Sequence, residues 1–314
     1  MVTVTFKNVG QGDSILIEWI SNSEPKTAII DCNLFQSTNP ILDYIIQKDI
    51  KEIEFIILSH PHTDHFSGFC QLLNYCRTKK ISIKRFLHTS FVTMDFLKSA
   101  TKSLEADEEL FKLFKLLKNM RDHGEITIYT IDDNPNIIIP LGSDYKMEIL
   151  SPSSIEIDNY IRGVRFPFNE EDHKNNPNAN WLSTILKIYK GESCAILTSD
   201  VESAALTRIG KKNSGRVGNN KLLMAQIPHH GSKGNLNKTF WLMRKRNVNT
   251  PVVISVGENS YNHPSFDVVS FFYRSPDYIL NSTNMTGALS NNNANTKQVI
   301  QILNIVSTNN LSSV

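Results

Sequence analysis

Short apolar runs and longer segments of helical spacing alternate from one end of the chain to the other. Met1-Val2-Thr3-Val4-Thr5-Phe6 and Ser14-Ile15-Leu16-Ile17-Glu18-Trp19 read as two strands, joined through Gly10 and Gly12, which admit backbone angles that other residues resist. Pro40-Ile41-Leu42-Asp43-Tyr44-Ile45-Ile46 reads as a helix over the first sheet. The apolar run Phe55-Ile56-Ile57-Leu58 predicts a strand. Phe66, Phe69, Leu72, Leu73 and Cys76 then recur at helical spacing. The clearest amphipathic helix spans 104–122, with Leu110, Leu113, Phe114 and Leu117 on one face and Lys112, Lys115 and Lys118 on another.

Further strands follow at Ser193–Leu197, Leu222–Met224 and Val252–Val256, and a last one at Val299–Leu303 after an Asn-rich turn at 291–295. Residues 160–180 are polar and aperiodic, which predicts a long loop whose Arg162, Arg165 and His173 could touch a substrate. No Pro/Ser/Gly linker divides the alternation, so residues 1–314 are expected to form one α/β domain.

Composition adds bounds. With 314 residues and 40% hydrophobic content the chain can bury a large core. A formal charge of +2 predicts no strong field toward nucleic acid or membrane, so such partners would need local patches. The available ones are Lys79-Lys80 with Lys84-Arg85, Arg208 with Lys211-Lys212 and Arg216, and Arg244-Lys245-Arg246. The four cysteines, Cys32, Cys70, Cys76 and Cys194, follow no zinc-finger spacing and read as buried free thiols in a reducing compartment. The amino terminus lacks a signal-peptide pattern, and no segment reaches the roughly 18–20 apolar residues of a membrane span. A cytoplasmic protein without a membrane partner is the expectation.

The chemistry is concentrated in Ser59-His60-Pro61-His62-Thr63-Asp64-His65, an H-x-H-x-D-H array directly behind an apolar run. A strand ending in such a loop can place His60 and His62 on one metal ion and turn Asp64 and His65 toward a second. Two more runs end on donors: Ser193–Leu197 leads to Thr198-Ser199-Asp200, and Leu222-Leu223-Met224 leads to Ile227-Pro228-His229-His230-Gly231-Ser232. Three strand ends thus converge on one site, and a carboxylate such as Asp200 can bridge two cations.

Together with Val9-Gly10-Gln11-Gly12-Asp13-Ser14, Ile30-Asp31, Asn180-Trp181-Leu182-Ser183 and Ser255-Val256-Gly257-Glu258-Asn259-Ser260-Tyr261-Asn262-His263-Pro264, taken in this order, the motifs resemble the metallo-β-lactamase-fold hydrolases. The branch they resemble most is typified by the soluble hydrolase domain of the competence protein ComEC. The resemblance implies a four-layer αββα sandwich with the metal site at one edge. It implies His60 and His62 on metal one, Asp64 and His65 on metal two, and Asp200 between them. Matching the family's glycine points to His230 as the further ligand of metal two, with His229 as the alternative.

A third histidine on metal one is usual in the family, and His88 and His123 are the candidates. Ser199 stands where the family usually has glycine. Asp31 is placed behind a ligand, Asp13 in a tight turn. Asn180 and Ser183 would order a loop, and Ser232 or Lys233 would hold an oxyanion. His263 is expected to donate a proton to a leaving oxygen or to hold the transferred phosphoryl group. The implied activity is hydrolysis by a hydroxide held on two divalent ions, zinc first and manganese second, with Asp64 and His263 as catalytic residues.

The substrate expected from that branch is a phosphodiester, nucleic acid first. A small phosphodiester or another ester is the alternative, because the fold hosts many reactions. A different reading is a non-catalytic or conditionally active subunit of a bacterial defence or toxin system, with an operon-encoded protein partner.

Overall fold

The computed structural model describes residues 1–90, 96, 99–101, 103–164, 177–211, 215–289, 299–301 and 306–307, the last two segments as backbone. The expected Asn-rich turn at 291–295, residues 302–303 of the last strand, and Arg165, His173 and Lys212 lie outside the described residues.

The first half of the chain builds β1 (Val2–Phe6), β2 (Ile15–Ser21), β3 (Glu24–Ile30), β4 (Glu52–Ile53), β5 (Phe55–Leu58), β6 (Ser82–Ile83), β7 (Arg85–His88) and β8 (Thr127–Thr130). Its helices are α1 (Pro40–Gln47), α2 (Thr63–Phe66), α3 (Phe69–Lys79) and α4 (Leu104–Asp122). The second half supplies β9 (Ile138–Leu141), β10 (Tyr145–Ser151), β11 (Ile185–Lys190), β12 (Ser193–Leu197), β13 (Lys221–Gln226), β14 (Lys245–Arg246), β15 (Thr250–Ile254), β16 (Tyr278–Ser282), β17 (Val299–Gln301) and β18 (Val306–Ser307). Its helices are α5 (Ser154–Gly163), α6 (Ser203–Gly210), α7 (Lys238–Met243) and α8 (Phe266–Arg274).

Two large sheets result. One runs β18-β1-β2-β3-β5-β7-β8 and the other β17-β16-β15-β13-β12-β11-β10-β9, with β14 beside β13. Strands β3, β5, β7 and β8 are parallel, as are β12, β13, β15 and β16. Three apolar cores separate four layers. Phe55 and Ile57 of β5 face the core between the sheets, with Met147, Ile188 and Val253 opposite. Ile56 and Leu58 of the same strand pack outward beneath α1, α3 and α4, against Ile41, Phe69 and Leu113. On the far side Ile196, Val252 and Leu280 lie under Leu206, Trp241 and Phe272. The uninterrupted apolar runs are therefore strands buried on both faces, and the architecture is the αββα sandwich expected.

The helix expected from Phe66 onward is split at Gly68 into α2 and α3, where a β-carbon would lie 2.8 Å from Cys32 Sγ. The segment 160–180 is not one loop. Residues 160–163 finish α5 with Tyr160 fully buried, and Ala179–Leu182 form a 3-10 turn, because Tyr160, Ala179 and Leu182 share a small core. Three of the four thiols are buried and all four are free.

The loops of the two sheets meet through glycine. A β-carbon on Gly257 would stand 2.2 Å from Gly10 Cα, and Gly12, at φ +128°, passes where a β-carbon would be 2.3 Å from the Asp64 carbonyl oxygen. Gly257→Ala is expected to lower the unfolding free energy by about 1–3 kcal/mol, as overpacking does. Urea denaturation measures it, and a midpoint equal to wild type would mean that these loops do not press together.

Candidate metal centre

The parallel strands β5, β12, β13 and β15 end on one edge of the sandwich, where carboxyl ends of strands open into loops and ligand sites form. β5 delivers Ser59–His65, with His62 capping α2 and Asp64 in its first turn. β12 delivers Thr198–Asp200, β13 delivers His229 and His230, and the segment after β15 carries His263. Backbone bonds lock these loops together: Asp13 N–H donates to the Asp64 carbonyl at 3.1 Å and His229 N–H to that of Ser199 at 3.0 Å.

The side chains form two donor sets around one carboxylate. In the first, His60 Nε2 is 3.0 Å from His62 Nδ1 and 3.8 Å from Asp200 Oδ2, and His229 Nε2 is 3.6 Å from the same oxygen. In the second, His230 Nε2 is 3.4 Å from Asp64 Oδ2 and 3.4 Å from Asp200 Oδ1, while His65 Nε2 is 3.6 Å from Asp200 Oδ1 and 3.9 Å from Asp64 Oδ1. Ligands about 2.0–2.1 Å from a tetrahedral ion stand roughly 3.4 Å from one another. The observed separations bracket that edge. Asp200 presents one oxygen to each set.

Hydrogen bonds on the outer nitrogens fix which way the imidazoles face. His65 Nδ1 meets Asp31 Oδ2 at 2.7 Å, and His230 Nδ1 meets the Ser255 carbonyl at 2.7 Å, so both Nδ1 atoms donate and both Nε2 lone pairs point inward. His229 Nδ1 lies 3.0 Å from Asn235 Oδ1 and 3.2 Å from Asn180 Nδ2; the Asn235 amide gives its Nδ2–H to the Val201 carbonyl, so its oxygen is the nearer acceptor for His229 Nδ1, an arrangement that leaves the Nε2 lone pair inward. Ser59 Oγ donates to Asp31 at 2.6 Å and Ser199 Oγ to Ser59 Oγ at 2.7 Å. Both hydroxyl protons are thereby committed, so His60 Nδ1, 3.2 Å from each serine oxygen, is the donor there. His65 Nε2, His230 Nε2 and Asp200 Oδ1 are left buried with no hydrogen-bond partner. Acceptors turned on acceptors fit a cation, and buried polar atoms rarely go unpaired otherwise.

The same carboxylates draw positive charge toward the imidazoles. Burial depresses the His65 and His230 pKa values, but neighbouring carboxylates outweigh it: Asp31, Asp200 and Asp64 hold His65 well above its ordinary value, and Asp200 and Asp64 raise His230 to about 9. Burial opposes ionisation of Asp200 and Asp64 too, yet the surrounding imidazoles hold both well below the usual carboxylate range. His60 is pushed well below its ordinary value by burial and then by His65 and His62. Asp31 is raised by burial, against the pull of His65.

The structure brings together all seven expected donors: His60, His62, Asp64, His65, Asp200, His229 and His230. His230 faces Asp64 and Asp200, as the glycine match points to, while His229 faces the other oxygen of Asp200. The third histidine sought in His88 or His123 is found in neither. His88 is a core residue edge-on to Phe114 at 5.0 Å, its pKa lowered by burial to about 4, and His123 caps α4 on the surface. Asp31 stands behind His65 as expected. Asp13 is buried and accepts from Gln226 Nε2 at 2.7 Å, and the Gln226 oxygen accepts from the backbone of Thr198 and Ser199. Ser59, Ser199, Gln226 and Asn235 were missed as orienting groups, because hydroxyls and amides have no diagnostic spacing.

Above the donors lies a cleft of 470 Å³ whose walls include Gln11, Asn33, Thr63, Ser103, Tyr261 and His263. A larger groove of 790 Å³ sits between α6, α7 and α8, but it holds none of the donors. Lys233 lines that groove and pairs with Asp267, so it is not at the cleft, and Arg162 is 80% exposed on α5. The arginines of the two later basic clusters serve the fold. Arg208 pairs with Glu156 and Asp133, Arg216 with Glu148, Arg246 with Asp277, and Arg244 is buried against three carbonyls. Among the described residues, no Lys or Arg lines the cleft.

No helix among the described residues is long and apolar enough to cross a membrane. No curated protein matches the chain. Among solved structures, a new diphosphatase from the PhnP family is 11% identical, covering 88% of this chain and 94% of that one, with a TM-score of 0.40. The metallo-beta-lactamase fold protein YhfI from Bacillus subtilis is 12% identical over 81% and 98% of the two chains, at 0.38. Zn(2+)-bound PqqB from Methylobacterium extorquens is 10% identical over 72% and 73%, also at 0.38. The family model for the metallo-beta-lactamase superfamily matches residues 8–141, a segment that includes Asp31 and the whole of the H-x-H-x-D-H loop.

Proposed function

We propose that this protein is a metal-dependent phosphodiesterase whose single domain, residues 1–314, holds two divalent cations, zinc before manganese. The observation that carries the reading is the sharing of Asp200: its two oxygens face two separate sets of inward lone pairs. Superfamily members are mostly metal-dependent hydrolases. A cation pair bound there supplies a nucleophile from water at neutral pH and stabilises the anionic transition state of phosphoryl transfer.

The protein's own part is to hold and orient. His60, His62 and His229 would hold one cation, Asp64, His65 and His230 the other, with Asp200 shared between the two sets. Asp31 receives hydrogen bonds from His65 and, through Ser59, from the serine pair that fixes His60, so one carboxylate orients a ligand in each set. His263 lines the cleft edge-on to His229 at 5.5 Å, and burial, followed by the charge of His229 and His230, lowers its pKa to about 4. It therefore serves as a neutral N–H donor to a phosphoryl or leaving oxygen and is not stored as an imidazolium acid. Arg208, Arg216 and Arg244 are committed to acids and carbonyls elsewhere and no described Lys or Arg lines the cleft, which favours a small phosphodiester over a long polymer.

Wild type is expected to bind two zinc equivalents, and His229→Ala and His230→Ala to bind one fewer each, measured by metal analysis after dialysis; full binding by either variant would remove that histidine from the ligand set. Loaded wild type is expected to hydrolyse bis(p-nitrophenyl) phosphate, and Asp64→Ala to lose more than about 100-fold, beyond the loss typical of outer orienting groups. No turnover with both ions bound would reject the phosphodiesterase reading.

A further inference from the structure

We infer that Tyr261 is a stacking platform for a nucleobase, which makes the substrate a nucleoside-bearing phosphodiester; this rests on the phosphodiesterase reading. Tyr261 is 64% exposed, yet it lines the same cleft as Asp64, His229 and His230. Its ring stacks on His263, centroids 5.9 Å apart at 25°, and His263 meets His229 edge-on at 5.5 Å. A file of aromatic rings thus leads from the donor sets to the mouth, ending on the most exposed one. A sugar between phosphate and base would span that reach.

Exposed aromatic residues are common on any surface, so position and rigidity carry the argument. Ile155, Val248 and Phe266 are equally exposed and do not line the cleft. The Tyr261 loop is held from within by one side chain. Asn259 Oδ1 accepts from the backbone N–H of both Tyr261 and His263 at 3.0 Å, and its Nδ2 donates to the carbonyls of Gly257 at 2.7 Å and His263 at 2.9 Å. Gly257 is itself pressed on Gly10, and a β-carbon on Gly287 would meet the His263 carbonyl at 2.5 Å. An exposed ring on a loop fixed in this way loses little freedom when a flat partner covers it. Around it the cleft offers the amide of Gln11, whose oxygen has no hydrogen-bond partner, and the hydroxyls of Thr63 and Ser103, suited to sugar and base edges.

Calorimetric titration of the zinc-loaded protein with adenosine 5′-monophosphate and with ribose 5-phosphate tests this. The nucleotide is expected to bind about 5- to 150-fold tighter, the range that base–aromatic stacking gives on alanine substitution. Tyr261→Phe should keep that advantage, and Tyr261→Ala should abolish it while leaving ribose 5-phosphate binding unchanged. Equal affinities in wild type, or an advantage that survives in Tyr261→Ala, would overturn the inference. So would an equal advantage for p-nitrophenyl phosphate, which would make the platform indifferent to the kind of ring. If neither phosphate binds the loaded protein, the phosphodiesterase reading fails and this inference fails with it.

Discussion

Four carboxylates, those of Asp13, Asp31, Asp64 and Asp200, converge at the edge where the two sheets meet, and three of them are almost wholly buried. Charges so placed cannot stay ionised without positive charge within reach. The arrangement of the site follows from that constraint. Each imidazole whose tautomer the hydrogen bonds fix gives one nitrogen to a protein acceptor and turns the other inward, so the centre is ringed by lone pairs. Two divalent cations with neutral imidazoles would match four carboxylates charge for charge. Without them, His65 and His230 take up protons instead, as their raised pKa values indicate. Loading with metal is then an exchange of protons for cations.

The scaffold serves the same constraint. Parallel strands with both faces buried must place their polar residues at their ends, and here those ends coincide. The loops can come close enough only where side chains are absent, as at Gly12 against Asp64 and at Gly257 against Gly10. Gln226 then ties the first sheet to the second, donating to Asp13 and accepting from Thr198 and Ser199. Fold stability and site geometry are therefore carried partly by the same bonds.

The features legible in the sequence are those with a period or a dense motif. Phe55-Ile56-Ile57-Leu58 announced a strand, and 104–122 a helix with one apolar side, because burial fixes periodicity. The H-x-H-x-D-H array announced its donors because few structures need so many imidazoles together. Illegible were groups that act through geometry alone. Ser199 registered only as a departure from glycine. At φ +46° it keeps the left-handed backbone that a glycine would adopt freely, and it adds a hydroxyl that bonds Ser59 and reaches His60. The extent of 160–180 was misread because Tyr160, Ala179 and Leu182 bury one another across a long separation, which no local window contains.

The pair His229-His230 shows why His229, which we propose as the third histidine of the first set, escaped detection. Adjacent residues of a strand point to opposite faces, so an His-His pair suggests one ligand and one bystander. Here both residues take left-handed angles, φ +50° and +52°, before Gly231 at +81°. In such a turn successive side chains diverge by roughly 100° in place of 180°, by the helical geometry of 3.6 residues per turn. The rings then sit 6.1 Å apart, one facing each donor set. Left-handed backbone is costly for a residue with a β-carbon, and it persists only where the surroundings impose it. Of the eleven such non-glycine residues among those described, Asp31, Ser199, His229, His230 and Asn262 stand in or beside the site. The strain is placed where neighbouring side chains face two donor sets, beside the hydrogen bonds of Asn235 and Ser255 to the two rings.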